Sequence, residues 1–278
     1  MTAPDPGDGP PRPRIPYGPT RPNPARIYDY WLGGKDHFAC DREVAERVAT
    51  SAPWTVGGAR ACRAFLRESV VWLASQGIEQ FLDIGSGLPT AGNVHEIAQG
   101  VNERARVVYV DHDPVVLTHA RALLAGDDGV LVVEGDLRRP AGILAALRDR
   151  PGFLDLGRPV AVLLSAVLHF VADADRPERL LATLREAMAP GSYLLISQVV
   201  ADDDAIGAAT REAAVRYGAM AQPFTPRTTA QIVELFDGFV PVGRGIHPLR
   251  HHGLPVTVLG GIGRLPAPPP RPGTVSAG

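Results

Sequence analysis

The chain has 278 residues, a formal net charge of -2 and a hydrophobic fraction of 45%. That is enough apolar material to bury a core in one large or two small domains. No apolar run is long enough to span a bilayer, and the near-neutral charge argues against a surface built to wrap a nucleic acid. The first residues lack the basic-then-apolar layout of a secretory signal, so a cytoplasmic protein with no membrane partner is expected. Its two cysteines, Cys40 and Cys62, lack ligand spacing and read as small hydrophobes, neither a disulfide nor a zinc site.

Residues 1–24 are dense in Pro, Gly and Arg and read as a flexible arm, and the Pro-rich stretch 266–278 reads as a tail of the same kind. The folded domain is expected over 25–265, with 25–76 as an N-terminal helical cap. Within the cap, Asp41 is placed to start a short helix with Val44, Ala45 and Val48 on one face. Apolar spacing from Cys62 through Phe65, Leu66, Val70 and Leu73 predicts a second helix that stops at Gly77. Strands and helices then alternate. Strands are predicted at 80–84, 106–110, 130–133, 160–164 and 193–197; helices at 93–99, from Asp113-Pro114 onward, at 175–188, 204–219 and 228–236. Thr228-Thr229-Ala230-Gln231 has capping-box form. Two β-type runs, 239–246 and 256–262, have no helix between them and predict an antiparallel pair at a sheet edge. The pattern is that of a doubly wound, Rossmann-like α/β domain: a mostly parallel seven-stranded sheet with an antiparallel terminal strand. Ligands in such folds bind beyond the carboxyl ends of the strands.

The first core strand ends in Asp83-Ile84-Gly85-Ser86-Gly87. Glycines there let the chain turn sharply and let a ligand approach the backbone. Gly-x-Gly alone is a weak signal, but three companions sharpen it. Asp83 beside the loop would repel a pyrophosphate and suits a ligand bearing an ammonium group. The third glycine of a dinucleotide fingerprint is replaced by Thr90. Two further acids end successive strands: Asp111, placed to accept ribose hydroxyls with His112 beside it, and Asp136, placed for an adenine amino group with Leu137 against the ring. Together these describe a nucleoside with a cationic amino-acid tail, which is S-adenosylmethionine, leaving S-adenosylhomocysteine after methyl transfer.

Several runs carry a resemblance. They are 26–35 (Arg26-Ile27-Tyr28-Asp29-Tyr30-Trp31-Leu32-Gly33-Gly34-Lys35), 81–90, 93–96, 108–117 and 166–171. Together they resemble an actinobacterial S-adenosyl methyltransferase family, formerly catalogued as a domain of unknown function, within the class I S-adenosylmethionine-dependent methyltransferases. The resemblance spans about 23–265. It implies the fold and the cofactor and names no acceptor.

The acceptor side is read from residues alone. The fourth strand runs into Ser165-Ala166-Val167-Leu168-His169 and lacks the Asn/Asp-Pro-Pro-aromatic run of methylases acting on adenine or glutamine nitrogens, so a small-molecule acceptor is expected and a nucleic acid is not. Ser165 falls where the methionine portion of the cofactor should pass. His169 is the candidate catalytic group, as base or orienting residue, with a packed core histidine as the alternative. Tyr28, Tyr30, Trp31 and Lys35 are candidates for a lid or pocket wall, with Gly33-Gly34 as its hinge. Arg63 and Arg67 lie one turn apart, and one of them could meet a carboxylate; Tyr217 falls in the region that covers the acceptor by fold analogy. His247, His251 and His252 lack companion ligands, and no metal is expected. The competing functions are a non-catalytic S-adenosylmethionine-binding sensor and a nicotinamide-dependent oxidoreductase.

Overall fold

The computed structural model describes residues 20–89, 92–124, 126–251, 253–255 and 257–267. Thr90, His252, Val256 and the segments 1–19 and 268–278 of the expected arm and tail lie outside them. The cap is three helices. In α1 (Pro24–Leu32), Asn23 caps the amino end by accepting from the Arg26 amide, Pro24 opens the first turn, and Gly33 at φ 85° ends the helix. Next come α2 (Ala39–Ser51) and α3 (Thr55–Ser75). The aromatic block, expected within a helical cap but with no helix assigned to it, forms α1. Asp41 is not the N-cap of α2: the helix begins at Ala39 after Phe38, and Asp41 is its third residue, in the first turn, accepting from the Phe38 amide at 2.8 Å.

The alternating part contains β1 (Gln80–Ile84), α4 (Val94–Val101), β2 (Arg106–Asp111), α5 (Pro114–Leu123), β3 (Val130–Glu134), α6 (Pro140–Arg148), β4 (Ala161–Ser165), α7 (Pro177–Ala187), β5 (Tyr193–Val199), α8 (Ala205–Met220) and α9 (Thr229–Glu234). Short strands β6 (Val240–Pro241) and β7 (His247–Pro248) and the longer β8 (Val258–Arg264) close the chain. Helix α6 was not anticipated; it opens on Pro140 and buries Ile143, Leu144 and Leu147. The sheet order is β3-β2-β1-β4-β5-β8-β6, with β7 also paired to β8. Strands β1 to β5 are parallel neighbours, and β8 runs antiparallel between β5 and the edge. The 239–246 run is therefore not one strand. It breaks after Pro241 into a turn closed by the Gly245 amide on the Val242 carbonyl, and pairing resumes at His247.

Alternation along the strands sorts the core to two faces. Leu82, Ile84, Val108, Val110, Val162 and Leu164 pack with α6 and α7 residues such as Ile143 and Leu181. Phe81, Val107, Tyr109, Ala161 and Leu163 pack with α3 and α4 residues such as Phe65, Leu73 and Val94. The same parity puts Asp83, Asp111, Ser165 and Ser197 on the α3 side. The topological switch lies between β1 and β4, so the loops leaving those strands border one crevice.

Candidate active site

Two cavities open at this crevice. The larger, about 330 Å³, is walled by α1, α3, α8, the β1 loop and the turn after β4; the smaller, about 160 Å³, lies beyond β3. They meet at Gly85, Asp111, His112, Val167, Phe170 and Gln222, which line both.

The β1 loop is held by its neighbours. Gly85 has φ 74°, and a Cβ there would lie 2.3 Å from the Val167 side chain, so only glycine allows the β1 loop to pass this close to the turn after β4. That turn is itself strained: Ala166 has φ 54°. The Gly87 amide donates to Asp111 at 3.0 Å, and the Asp113 amide donates to the other Asp111 oxygen at 3.0 Å. Burial raises the Asp111 pKa against these two hydrogen bonds.

Asp83 is buried on the floor of the larger cavity. Loss of water pushes its pKa up to about 7; the nearby Arg63 guanidinium pulls it down and Asp111 pushes it up. Arg63 also lines this cavity and donates to the Gly92 carbonyl at 2.8 Å, while Arg67 faces out. Cys62 is buried in the same wall, its thiol pushed up to about 11 by desolvation. Ser165 reaches Ser197 at 3.1 Å between hydroxyls.

In the smaller cavity Leu137 and Asp136 form part of the lining. Asp136 is gripped by Arg138, whose side chain donates at 2.7 to 3.0 Å; burial would raise its pKa, and these bonds outweigh that and lower it.

The aromatic block divides. Tyr28 and Trp31 line the larger cavity, Tyr28 donating to the Ala59 carbonyl at 3.0 Å and Trp31 to the Ala45 carbonyl at 3.3 Å. Tyr30 and Lys35 line neither cavity: Tyr30 bonds Glu46 at the surface at 2.9 Å, and Lys35 is exposed. Helical periodicity is the reason, since Tyr30 falls two residues from Tyr28 and so projects from another face. Gly33-Gly34 is a helix stop, with both amides bonded back to α1 carbonyls. A Cβ on Gly34 would overlap the Asp29 carboxylate, which accepts from the Asp36 amide at 2.9 Å. Arg26 and Asp41 form a fully buried ion pair at 2.7 Å. Asp41 also accepts the Asn23 amide, and the Asn23 side chain reaches Asp113 after β2. The block is thereby bolted to the sheet as a wall.

His169 lines the larger cavity in a short helical turn, 168–170. Burial pushes its pKa down to about 3, aided by Arg227, so the ring is neutral; its Nδ1 is buried with no hydrogen-bond partner among the described residues. It stacks on Phe224 at 4.2 Å. Tyr217 from α8 completes this side. Phe170, Phe224 and Asn23 are the contributors that sequence reasoning missed. Phe224 meets His169 from 55 positions along the chain, which no local pattern marks.

The family model described as S-adenosyl methyltransferase matches residues 14–252. A candidate methyltransferase from Thermobifida fusca is 37% identical, with a TM-score of 0.81 and an alignment covering 89% of this chain and 96% of that one. A DUF574 family protein from Streptomyces avermitilis is 38% identical, with a TM-score of 0.81 over 88% and 98% of the two chains. N,N-8-amino-8-demethyl-D-riboflavin dimethyltransferase from Streptomyces davawensis, at 24% identity, shares the fold with a TM-score of 0.50 over 86% of this chain and 61% of that one. No curated protein matches. These matches set aside the oxidoreductase and sensor readings in favour of an S-adenosylmethionine-dependent methyltransferase. The chain belongs to the S-adenosyl methyltransferase family.

Proposed function

We propose that this methyltransferase binds its cofactor across both cavities and methylates a small molecule in the larger one. The observation that carries the reading is the meeting of the two cavities at Gly85, Asp111 and His112. The donor set fits the cofactor. Asp83, a buried carboxyl with a pKa near 7, gains a counterion if it receives an ammonium group. Asp111, with one N–H bond on each oxygen, keeps lone pairs for ribose hydroxyls. Leu137 offers an apolar surface and Asp136 a carboxylate in the adenine-sized side cavity. Arg63 suits the cofactor's carboxylate, and Ser165 borders its methionine portion.

The bound cofactor supplies an electrophilic methyl group on a sulfonium. The chain's own work is to hold the acceptor in line and to exclude water. Tyr28, Trp31 and Tyr217 wall the acceptor space, and neutral His169 orients the acceptor through a hydrogen bond. The setting we propose is the cytoplasm; among the described residues no helix is long and apolar enough to cross a membrane.

The test is transfer from methyl-labelled cofactor into actinobacterial cell extract, followed by separation by size. Label in the low-mass fraction is the expected result. Label confined to protein or nucleic acid would overturn the small-molecule reading.

A further inference from the structure

Among the aromatic rings that line the larger cavity, Trp31, His169, Phe170, Tyr217 and Phe224 form one cluster. They come from α1, the turn after β4, α8 and the segment before α9, and they touch one another. Phe224 stacks on His169 at 4.2 Å and meets Phe170 and Tyr217 edge-on, each at 5.4 Å. Trp31 lies 6.5 Å from Tyr217. A wall of this kind suits a flat π-system and draws positive charge to its ring faces.

The carboxylates bordering the same cavity are all engaged. Asp29 accepts from the Asp36 amide, Asp113 from the Val115 amide and the Asn23 side chain, and Asp111 from Gly87 and Asp113. Asp83 is assigned above to the cofactor's ammonium group. The Tyr28 phenol donates to Ala59, and burial keeps it protonated. His169, with its pKa near 3, lies about 7 units below an ordinary phenol and is a feeble proton acceptor. Burial likewise keeps the Tyr217 phenol protonated. Within the aromatic wall no described residue is thus suited to strip a proton from an O–H or N–H acceptor near neutral pH; the other histidine of the lining, His112, lies beside Asp111 where the two cavities meet.

We infer that the acceptor is a flat heteroaromatic base methylated on a neutral ring nitrogen, its cationic product held against the aromatic wall; the inference rests on the cofactor placement proposed above. The balance needs no base. The nitrogen lone pair forms the N–CH₃ bond, the electron pair of the S–CH₃ bond returns to sulfur, and the positive charge passes from sulfur to the ring with no proton moved. The ring faces then attract the charge at the acceptor end of the reaction as it develops.

The test is calorimetry on the full chain saturated with S-adenosylhomocysteine, titrating N-methylisoquinolinium and, separately, the similarly sized anion 2-naphthoate. The cation is expected to bind at least tenfold more tightly than 2-naphthoate. Phe224→Leu and Tyr217→Leu are each expected to weaken the cation by about threefold to thirtyfold, with S-adenosylhomocysteine binding in the same variants reporting that they are folded. No binding of the cation, equal or tighter binding of 2-naphthoate, or full cation affinity in both variants would overturn the inference. If S-adenosylhomocysteine itself fails to bind the unaltered chain, the cofactor placement is what falls; if it binds and the cation does not, only the acceptor class falls.

Discussion

Asp83→Asn should make the free protein more stable and a poorer binder at once. In the folded chain burial raises this carboxyl from 3.8 to about 7. The folded state therefore holds the proton more tightly than the unfolded chain, and the stability this contributes is full below about pH 4 and is lost as pH rises through 7. A shift of about 3 units corresponds to about 4 kcal/mol of destabilisation once the group is ionised, at roughly 1.4 kcal/mol per unit. The Asn amide still loses water, which trims the gain at pH 8.5 to roughly 2–4 kcal/mol. At pH 5 the carboxyl is mostly protonated, and the gain shrinks to about 1 kcal/mol. The neighbours facing Asp83, Arg63 and Asp111, are common to both proteins, so their titration largely cancels in the difference. Thermal melts at pH 5 and 8.5 should show a midpoint gap that widens with pH, to several degrees at pH 8.5. Calorimetry with S-adenosylhomocysteine at pH 8.5 should show binding weaker by roughly 1.5–3 kcal/mol, the scale of a charge-assisted hydrogen bond. For the unaltered protein, affinity should fall up to tenfold per pH unit below 7 as Asp83 takes up a proton. A pH-independent stability gap, or unchanged affinity in the variant, would refute the reasoning.

Asp111→Ala should weaken cofactor binding by roughly 1–3 kcal/mol in a protein that still melts cooperatively; equal affinity would remove Asp111 from the ribose site. Gly85→Ala sets a Cβ 2.3 Å from Val167 at a positive φ and should cost about 2–4 kcal/mol in denaturant unfolding, with Val167→Ala in the same chain restoring part of it. Asp41→Asn should cost about 3–5 kcal/mol because it leaves the buried Arg26 charge without its counterion. Tyr30→Phe, which removes only a surface hydrogen bond to Glu46, should stay within about 0.5 kcal/mol in the same unfolding assay.

The sheet was legible because the β-branched run at 106–110 and the apolar run at 160–164 have no other home, and Asp83, Asp111 and Asp136 then fell at the ends of successive strands; that Asp83 and Asp111 share one face came from the structure. Within the helical cap, the bounds and buried face of α1 were not legible. Its buried positions include Arg26 and Asp29, which count as polar in any periodicity and are buried only because Asp41 and the 34–37 loop receive them. The same tertiary contacts explain why a resemblance resting on 26–35 looked functional: Arg26, Asp29 and Gly34 hold the wall in place, while Tyr28 and Trp31 supply its aromatic lining. The acceptor wall was hidden for another reason. His169 reads as a catalytic group when seen only beside Leu168 and Phe170, and its burial against Phe224 makes it neutral. The edge strand misled in part because 239–246 is β-type by residue type, while Pro241 and the turn glycines interrupt its pairing with β8.

A crystal structure of the chain with S-adenosylhomocysteine tests the central claim most directly. The account predicts the ammonium group on Asp83, the ribose hydroxyls on Asp111, the adenine beside Leu137 in the smaller cavity, and the sulfur facing the aromatic wall of the larger one. A ligand seated with its sulfur turned away from that wall, or its adenine in the larger cavity, would contradict it.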